Sequence, residues 1–340
     1  VARASAQTVG TRAAEAEAPA AYLAPYGRML LIRLFEREMH RLFLEGHIHG
    51  TTHLSAGQEA VPVGVCWTLE PEDYVAGTYR GHGHALAKGT DPEALAAEML
   101  GRATGVCGGR AGSMNVIDVE HGLVGCFGIV GGSIAAATGA ALSASRQGRV
   151  AAAFFGDGAA NQGYFHECLN FAQVLGLPAV FVCENNLYGE FTPMGTVTAG
   201  GDIAARGVAY GMPSAVVDGN DLWAVRAAAR EAVERARSGD GPTLLECRTY
   251  RHYGHSKSDP ATYRPKDEVE EWLGRDPLDL ARSRLLELGV GEEEVQSVEE
   301  ETRARMDRAI EAALAAPYPD PGDGRATEFR EDQRARELRA

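Results

Sequence analysis

Two side chains, Asp157 and Asn186, have the type and placement to hold a metal ion. Asp157 stands in Gly156-Asp157-Gly158 directly after the apolar run Val150–Phe155, and Asn186 in Glu184-Asn185-Asn186 directly after Ala179–Cys183. Short apolar runs bounded by turn residues read as buried strands. Between them Phe165, Cys168, Leu169, Ala172 and Leu175 recur at helical spacing, and Gly176 with Pro178 supplies the stop. Such a strand–helix–strand unit returns its second strand parallel to the first by a right-handed crossover. Both strand ends then open on one crevice, where open α/β sheets bind ligands. A carboxylate and an amide oxygen meeting there are hard ligands suited to Mg2+, which takes its remaining ligands from phosphate and water. Gly156 and Gly158 let backbone come close, and the amides at the N-terminus of the following helix can face a phosphate. The pair predicts a metal–diphosphate clamp. Taken singly, Gly-Asp-Gly also fits a plain strand-to-helix turn, and Asn185-Asn186 another turn, because Asn tolerates left-handed backbone.

The spacing carries more than either piece. GDG, then 26 residues holding a helix and a strand, then NN resembles the thiamine-diphosphate-binding motif. The segments HLSAGQEA (53–60), TYRGHGH (78–84), GIVGG (128–132), FFGDGAANQGYFHE (154–167), CENNLYG (183–189) and TYRHYGHSKSDP (249–260) extend the likeness. In order, they are similar to the alpha subunit of the first component of 2-oxo-acid dehydrogenase complexes, of the pyruvate and acetoin dehydrogenase type. The resemblance implies an α/β fold of the thiamine-diphosphate-binding kind, with a mostly parallel sheet flanked by helices, and the cofactors thiamine diphosphate and Mg2+. It places Asp157, Asn186 and Tyr188 at the metal. Gly156, Gly158 and Ala159 fall at the diphosphate, with Tyr79, Arg80 and Arg251 also touching cofactor. Gly128 and Val130 support the aminopyrimidine, where Ile129 or Val130 would act as a wedge. His53 and His255 lie by the thiazolium as catalytic groups, and His82 is a further cofactor contact.

The elements that must position these groups can be read in order. From Tyr26 to Leu44, Met29, Ile32, Phe35, Met39, Leu42 and Phe43 mark one face of an amphipathic helix, with Arg33, Arg37 and Arg41 on another. His47, His49 and His53 follow in a loop and leave a metal site as an alternative to the catalytic role. Glu59 reads as structural, in a buried helix running to Cys66. A strand-like YVAGTY delivers Tyr79 and Arg80, an arginine able to fork two hydrogen bonds onto a phosphate. Eleven glycines between Gly101 and Gly139 predict backbone packed close to a ligand or subunit, or else a flexible loop. Ala215–Val217 reads as a strand, Asp221 as the cap of a helix to about Arg237, and TLLEC as the strand that delivers Arg248–Asp259 to the sheet edge. That last loop reads as an active-site lid, with a solvated connector as the alternative. Ser256 matches a position phosphorylated in mitochondrial relatives, but no such control is expected in this chain. Helices broken at Asp276-Pro277 and a long helix from Glu292 to Ala315 close the chain.

A single domain over residues 26–316 is expected, between a disordered tail (1–25) and a polar C-terminal tail (317–340). A net charge of −14 argues against a nucleic-acid or membrane partner. The six cysteines are scattered without a CxxC and read as reduced core residues. The first residues lack both an apolar signal core and the acid-poor composition of a transit peptide, so a cytoplasmic setting is expected.

The resemblance implies oxidative decarboxylation of a 2-oxo acid, pyruvate first, with transfer to lipoyl groups of an acyltransferase component. Acetoin cleavage is the near alternative and a branched-chain 2-oxo acid the third. A beta subunit in an α2β2 assembly would supply the glutamate for the cofactor's pyrimidine, since no motif here provides one. The chain departs from the family at Phe127 (usually Asn), Asn115 (His), Ala135 (Pro) and near Gly108 (Lys). Other classes remain open: a Mg2+-dependent phosphoester enzyme that works alone, or an inactive paralogue that binds a partner.

Overall fold

In the computed structural model, which describes residues 18–322, the apolar runs become strands β1 (Tyr74–Thr78), β2 (Leu123–Phe127), β3 (Ala151–Gly156) and β4 (Ala179–Asn185). A two-residue hairpin, β5 (Tyr188–Gly189) and β6 (Thr192–Pro193), precedes β7 (Ser214–Asp218) and β8 (Thr243–Arg248). The six long strands form one sheet in the order β2-β1-β3-β4-β8-β7, and every pairing in it is parallel. Register sets Gly156 beside Glu184 and Asn185 beside Arg248, so the loops after β3, β4 and β8 start side by side. The chain moves left from β1 to β2 and then returns to β3 on the other side of β1, which makes the ends of β1 and β3 the topological switch point.

Helices cover both faces, as a parallel sheet requires. They are α1 (Leu23–Leu44), α2 (Ala60–Cys66), α3 (His82–Lys88), α4 (Pro92–Met99), α5 (Gly132–Ala144), α6 (Gly163–Leu175), α7 (Met194–Val197), α8 (Leu222–Arg237), α9 (Lys266–Leu273), α10 (Pro277–Glu287) and α11 (Glu292–Ala315). Neighbouring strand residues serve opposite cores. Phe154, Val182 and Leu245 pack with residues of α1, α2 and α8, while Phe155, Phe181 and Leu244 pack with those of α5 and α6. All six cysteines are free thiols, and burial pushes Cys66 and Cys126 up to about 12. No helix among the described residues is long and apolar enough to cross a membrane.

Three expectations change. The expected tail 1–25 gives way to helical turns at Pro19–Tyr22, where Tyr22 stacks on Trp223 at 4.4 Å and meets Trp67 edge-on at 4.8 Å. Residues 1–17 and 323–340, where the rest of both expected tails falls, lie outside the described residues. Gly-Asp-Gly does not lead straight into α6: a 3-10 turn, Asp157–Asn161, intervenes, so Gly158 and Ala159 belong to that turn and not to the helix N-terminus. Arg33 is not on the polar face of α1 with Arg37 and Arg41.

Arg33 is buried, donating to Glu59 at 2.5 and 3.0 Å and to Asp276 at 2.7 and 3.1 Å. Glu59 in turn accepts the amide of Gly57 and has no exposed surface. This confirms Glu59 as structural. Gly57 has a left-handed φ of +96°, and a Cβ there would lie 2.4 Å from the carbonyl oxygen of Tyr250, so the loop bearing His53 packs directly on the loop bearing His255. Replacing Arg33 by Leu strands Glu59 as an unpaired buried charge and should cost about 3 to 5 kcal/mol, read from urea unfolding of the chain.

Candidate active site

The C-terminal ends of β1, β2, β3 and β4 open into one cavity of about 370 Å³, and the loop after β8 adds His255 to its wall. Asp157 and Asn186 both face it. Asp157 is 2 % exposed, and its carboxylate accepts hydrogen bonds from its own amide and that of Asn186, yet Oδ2 has no partner. Asn186 Nδ2 donates to Gln58 Oε1 at 3.2 Å, which fixes the amide while Oδ1 stays unpartnered. Two buried acceptor oxygens on neighbouring strand ends therefore lack the donors that buried polar atoms normally have. Burial pushes the Asp157 carboxyl up to about 6, against the opposing pull of those backbone amides and of Arg251. Asn185, the other half of the pair, plays the turn role: it accepts the amide of Leu187, whose φ is +71°, and donates to Glu246 at 2.7 Å.

The turn after β3 has the room that its glycines predict. A Cβ on Gly158 would sit 3.2 Å from Gly189 Cα, so the 3-10 turn after β3 and the β5–β6 hairpin close on each other only without side chains there. Gly156, Ala159 and Tyr188 line the same wall. Tyr188 turns its hydroxyl away, donating at 2.9 Å to Glu268, so its side chain is not a metal ligand. Opposite stand Gly128 and Val130, with Ile129 73 % and Val130 42 % exposed at the mouth.

A family model described as the dehydrogenase E1 component matches residues 27–322. The chain belongs to the dehydrogenase E1 component family. It is 47 % identical over 297 residues to the alpha subunit of acetoin:2,6-dichlorophenolindophenol oxidoreductase of Bacillus subtilis (strain 168), covering 86 % of this chain and 89 % of the relative. The same subunit of Cupriavidus necator is 43 % identical over 305 residues, 88 % of this chain and 92 % of that one. The alpha subunit of the pyruvate dehydrogenase E1 component of Zymomonas mobilis is 43 % identical over 298 residues, 86 % of this chain and 84 % of the relative. The resemblance to E1 alpha subunits drawn from sequence is borne out.

In this E1 chain His53 and His255 meet, with ring centroids 4.9 Å apart, and Tyr79 packs against both at 4.5 and 5.7 Å. Arg80 lines the same cavity. Its guanidinium donates to the carbonyls of Leu54 at 2.7 Å and His255 at 3.0 Å and so straps the two histidine loops together. A buried cation takes the nearest acceptors, and here these are main-chain oxygens. Arg251 is 1 % exposed behind the wall, donating to the carbonyl of Glu190 at 3.2 Å, with Nε and Nη1 unpartnered. His82 is withdrawn: its ring lies between Glu36 at 3.0 Å and Ser113 at 2.9 Å. His47 and His49 stay exposed in their loop, apart from His53. Gln58, the orienter of Asn186, was missed; it lies inside HLSAGQEA, but nothing local marks a glutamine as the partner of a residue on another strand.

Burial, and then the positive charges of Arg80 and Arg251, drive His53 down to about 3 and His255 to about 4. Both imidazoles are thus neutral at neutral pH, able to donate from one nitrogen and accept at the other. Because both folded values lie below the ordinary 6.5, acidification protonates the unfolded chain first. Stability at these groups is intact above 6.5 and declines as pH falls through that value toward 4. Their C2 proton resonances should hold the neutral shift from about pH 8 to 5, where an imidazole at its ordinary value would titrate.

Proposed function

We propose that this chain is the diphosphate-binding alpha half of a thiamine-diphosphate-dependent E1 enzyme, with Mg2+ held between Asp157 and Asn186. One observation carries the reading: Asp157 Oδ2 and Asn186 Oδ1 are buried and unpartnered on two residues that line the same cavity. An oxygen-only pair that leaves most positions to phosphate and water suits Mg2+, and a cation there would keep Asp157 ionised despite its burial. The main-chain carbonyl of Tyr188 is the third ligand on this reading. The turn Gly156-Asp157-Gly158-Ala159 receives the diphosphate, and the unused donors of Arg251 add positive charge behind it.

Thiamine diphosphate, when bound, supplies a carbanion and an electron sink for breaking a bond next to a carbonyl. The chain's own groups bind and orient. Gly128 offers main chain to the pyrimidine end, and Val130 and Ile129 are the apolar wedge. His53 and His255, held neutral, can donate a hydrogen bond to substrate oxygen or take up a proton beside it. The apolar mouth at Ile129 and Val130 supports completion by a beta chain in an α2β2 assembly, which would supply the missing glutamate. A lipoyl-bearing acyltransferase component would then accept the acyl group.

Pyruvate is the first substrate reading. The two arginines that depress both imidazoles set a positive potential where a substrate carboxylate would lie, and a neutral acyloin gains less from it. Acetoin is the second reading, favoured by the identity to the Bacillus subtilis relative.

Two measurements test this. Calorimetric titration of thiamine diphosphate into the chain with its beta partner should show Mg2+-dependent binding. Asp157→Ala or Asn186→Ala should weaken it by more than the roughly 10- to 100-fold typical of losing an outer-shell partner. Unchanged affinity in both variants overturns the clamp. With an artificial electron acceptor, the reconstituted enzyme should turn over pyruvate at higher kcat/KM than acetoin; the reverse order assigns acetoin, and turnover by the alpha chain alone overturns the two-chain reading.

A further inference from the structure

Glu98 is a buried carboxylate that the cofactor clamp does not use. It lies in the last turn of α4, where the helix dipole disfavours a negative charge, and it is 1 % exposed. Its stabilisation comes from main chain. Oε2 accepts the amides of Cys107 and Gly109, each at 2.8 Å, and Oε1 those of Ala111 at 2.6 Å and Gly112 at 3.2 Å. The glycine-rich segment wraps this one carboxylate, and its glycines serve that wrap. Gly108, Gly109 and Gly112 have left-handed φ of +68°, +75° and +61°, and a Cβ on Gly105 would fall 2.5 Å from Glu98 Oε2.

The wrapped loop leads directly to the cavity. Ser113 Oγ meets His82 Nε2 at 2.9 Å, and Met114 lines the cavity wall beside Phe127 and Gly128. Beyond them Ile117 returns to Cys107, its amide and carbonyl both 3.3 Å from the sulfur. Residues 107–117 thus form a closed loop whose inner side is fastened by Glu98 and whose outer side is a wall of the site.

We propose that Glu98 is a positioning residue: it folds the glycine-rich loop around its charge and so sets the Met114 wall against which the carbonyl substrate is bound. This rests on the cavity being the thiamine-diphosphate and substrate site. Glu98 lies outside the Asp157–Asn186 clamp, so its loss acts on substrate and leaves cofactor alone.

The test uses Glu98→Gln, which keeps the shape but replaces one acceptor oxygen by a donor facing amide donors. Gly112→Ala, a milder variant, strains the wrap where a Cβ has open space. In the full chain, amide hydrogen exchange over residues 107–112 should quicken by roughly tenfold or more in Glu98→Gln and less in Gly112→Ala. In the enzyme reconstituted with its beta partner, KM for the carbonyl substrate should rise about tenfold, with kcat and thiamine diphosphate affinity within about threefold of wild type. Unchanged exchange in both variants overturns the fastening, and quickened exchange with unchanged KM overturns the positioning role. A fall in cofactor affinity matching the rise in KM also overturns it, by showing a general structural effect. Failure of the wild-type complex to bind thiamine diphosphate strikes the functional reading itself, and with it the substrate-wall role, while exchange still decides whether Glu98 holds the loop.

Discussion

A buried carboxylate oxygen with nothing to accept is the constraint on which this molecule turns. Asp157 is sealed at the end of β3, its neighbour Asn186 offers a second bare oxygen, and the fold has brought them together across two parallel strands. Desolvation makes such an arrangement unfavourable for the empty protein, since a charged oxygen in a low-dielectric site loses hydration without gaining a donor. A cation bound there would remove the conflict. Much of the surrounding architecture holds those two atoms in place: the switch point between β1 and β3, the glycine contact between Gly158 and Gly189, and the amide of Gln58 behind Asn186.

The other charges of the site follow the same logic with different partners. Arg80 is satisfied by the carbonyls of Leu54 and His255, Glu59 by Arg33, and Glu98 by loop amides. Each buried charge thereby ties one segment of the chain to another. The loop before α2 and the loop after β8, which carry His53 and His255, are joined by Arg80 and by the close packing at Gly57. Tethers of this kind give loop-borne side chains a fixed separation without placing them on strands or helices.

Most of the framework could be read from sequence because its signals are local. The strands that end just before Asp157, Asn186 and the Tyr79–Arg80 pair, the helix capped by Asp221 and the break at Asp276-Pro277 are all marked by apolar runs that stop at turn residues. What sequence hid was non-local pairing. A spacing of four put Arg33 with Arg37 on a polar face, yet burial against Glu59 and Asp276 overrode that placement. Arg80 matched a phosphate-binding position, but its carbonyl partners lie in segments on either side of it in the chain. Likewise the run of glycines announced tight backbone without revealing that one glutamate sits inside the wrap.

One quieter feature concerns the thiols. The thiols are either enclosed or hydrogen-bonded, and burial raises all six above the ordinary cysteine range. Only a thiolate attacks a disulfide at an appreciable rate. An acceptor arriving as a cyclic disulfide would therefore find no competing sulfur nucleophile on this subunit, and its oxidising equivalents would be kept for the carbon chemistry.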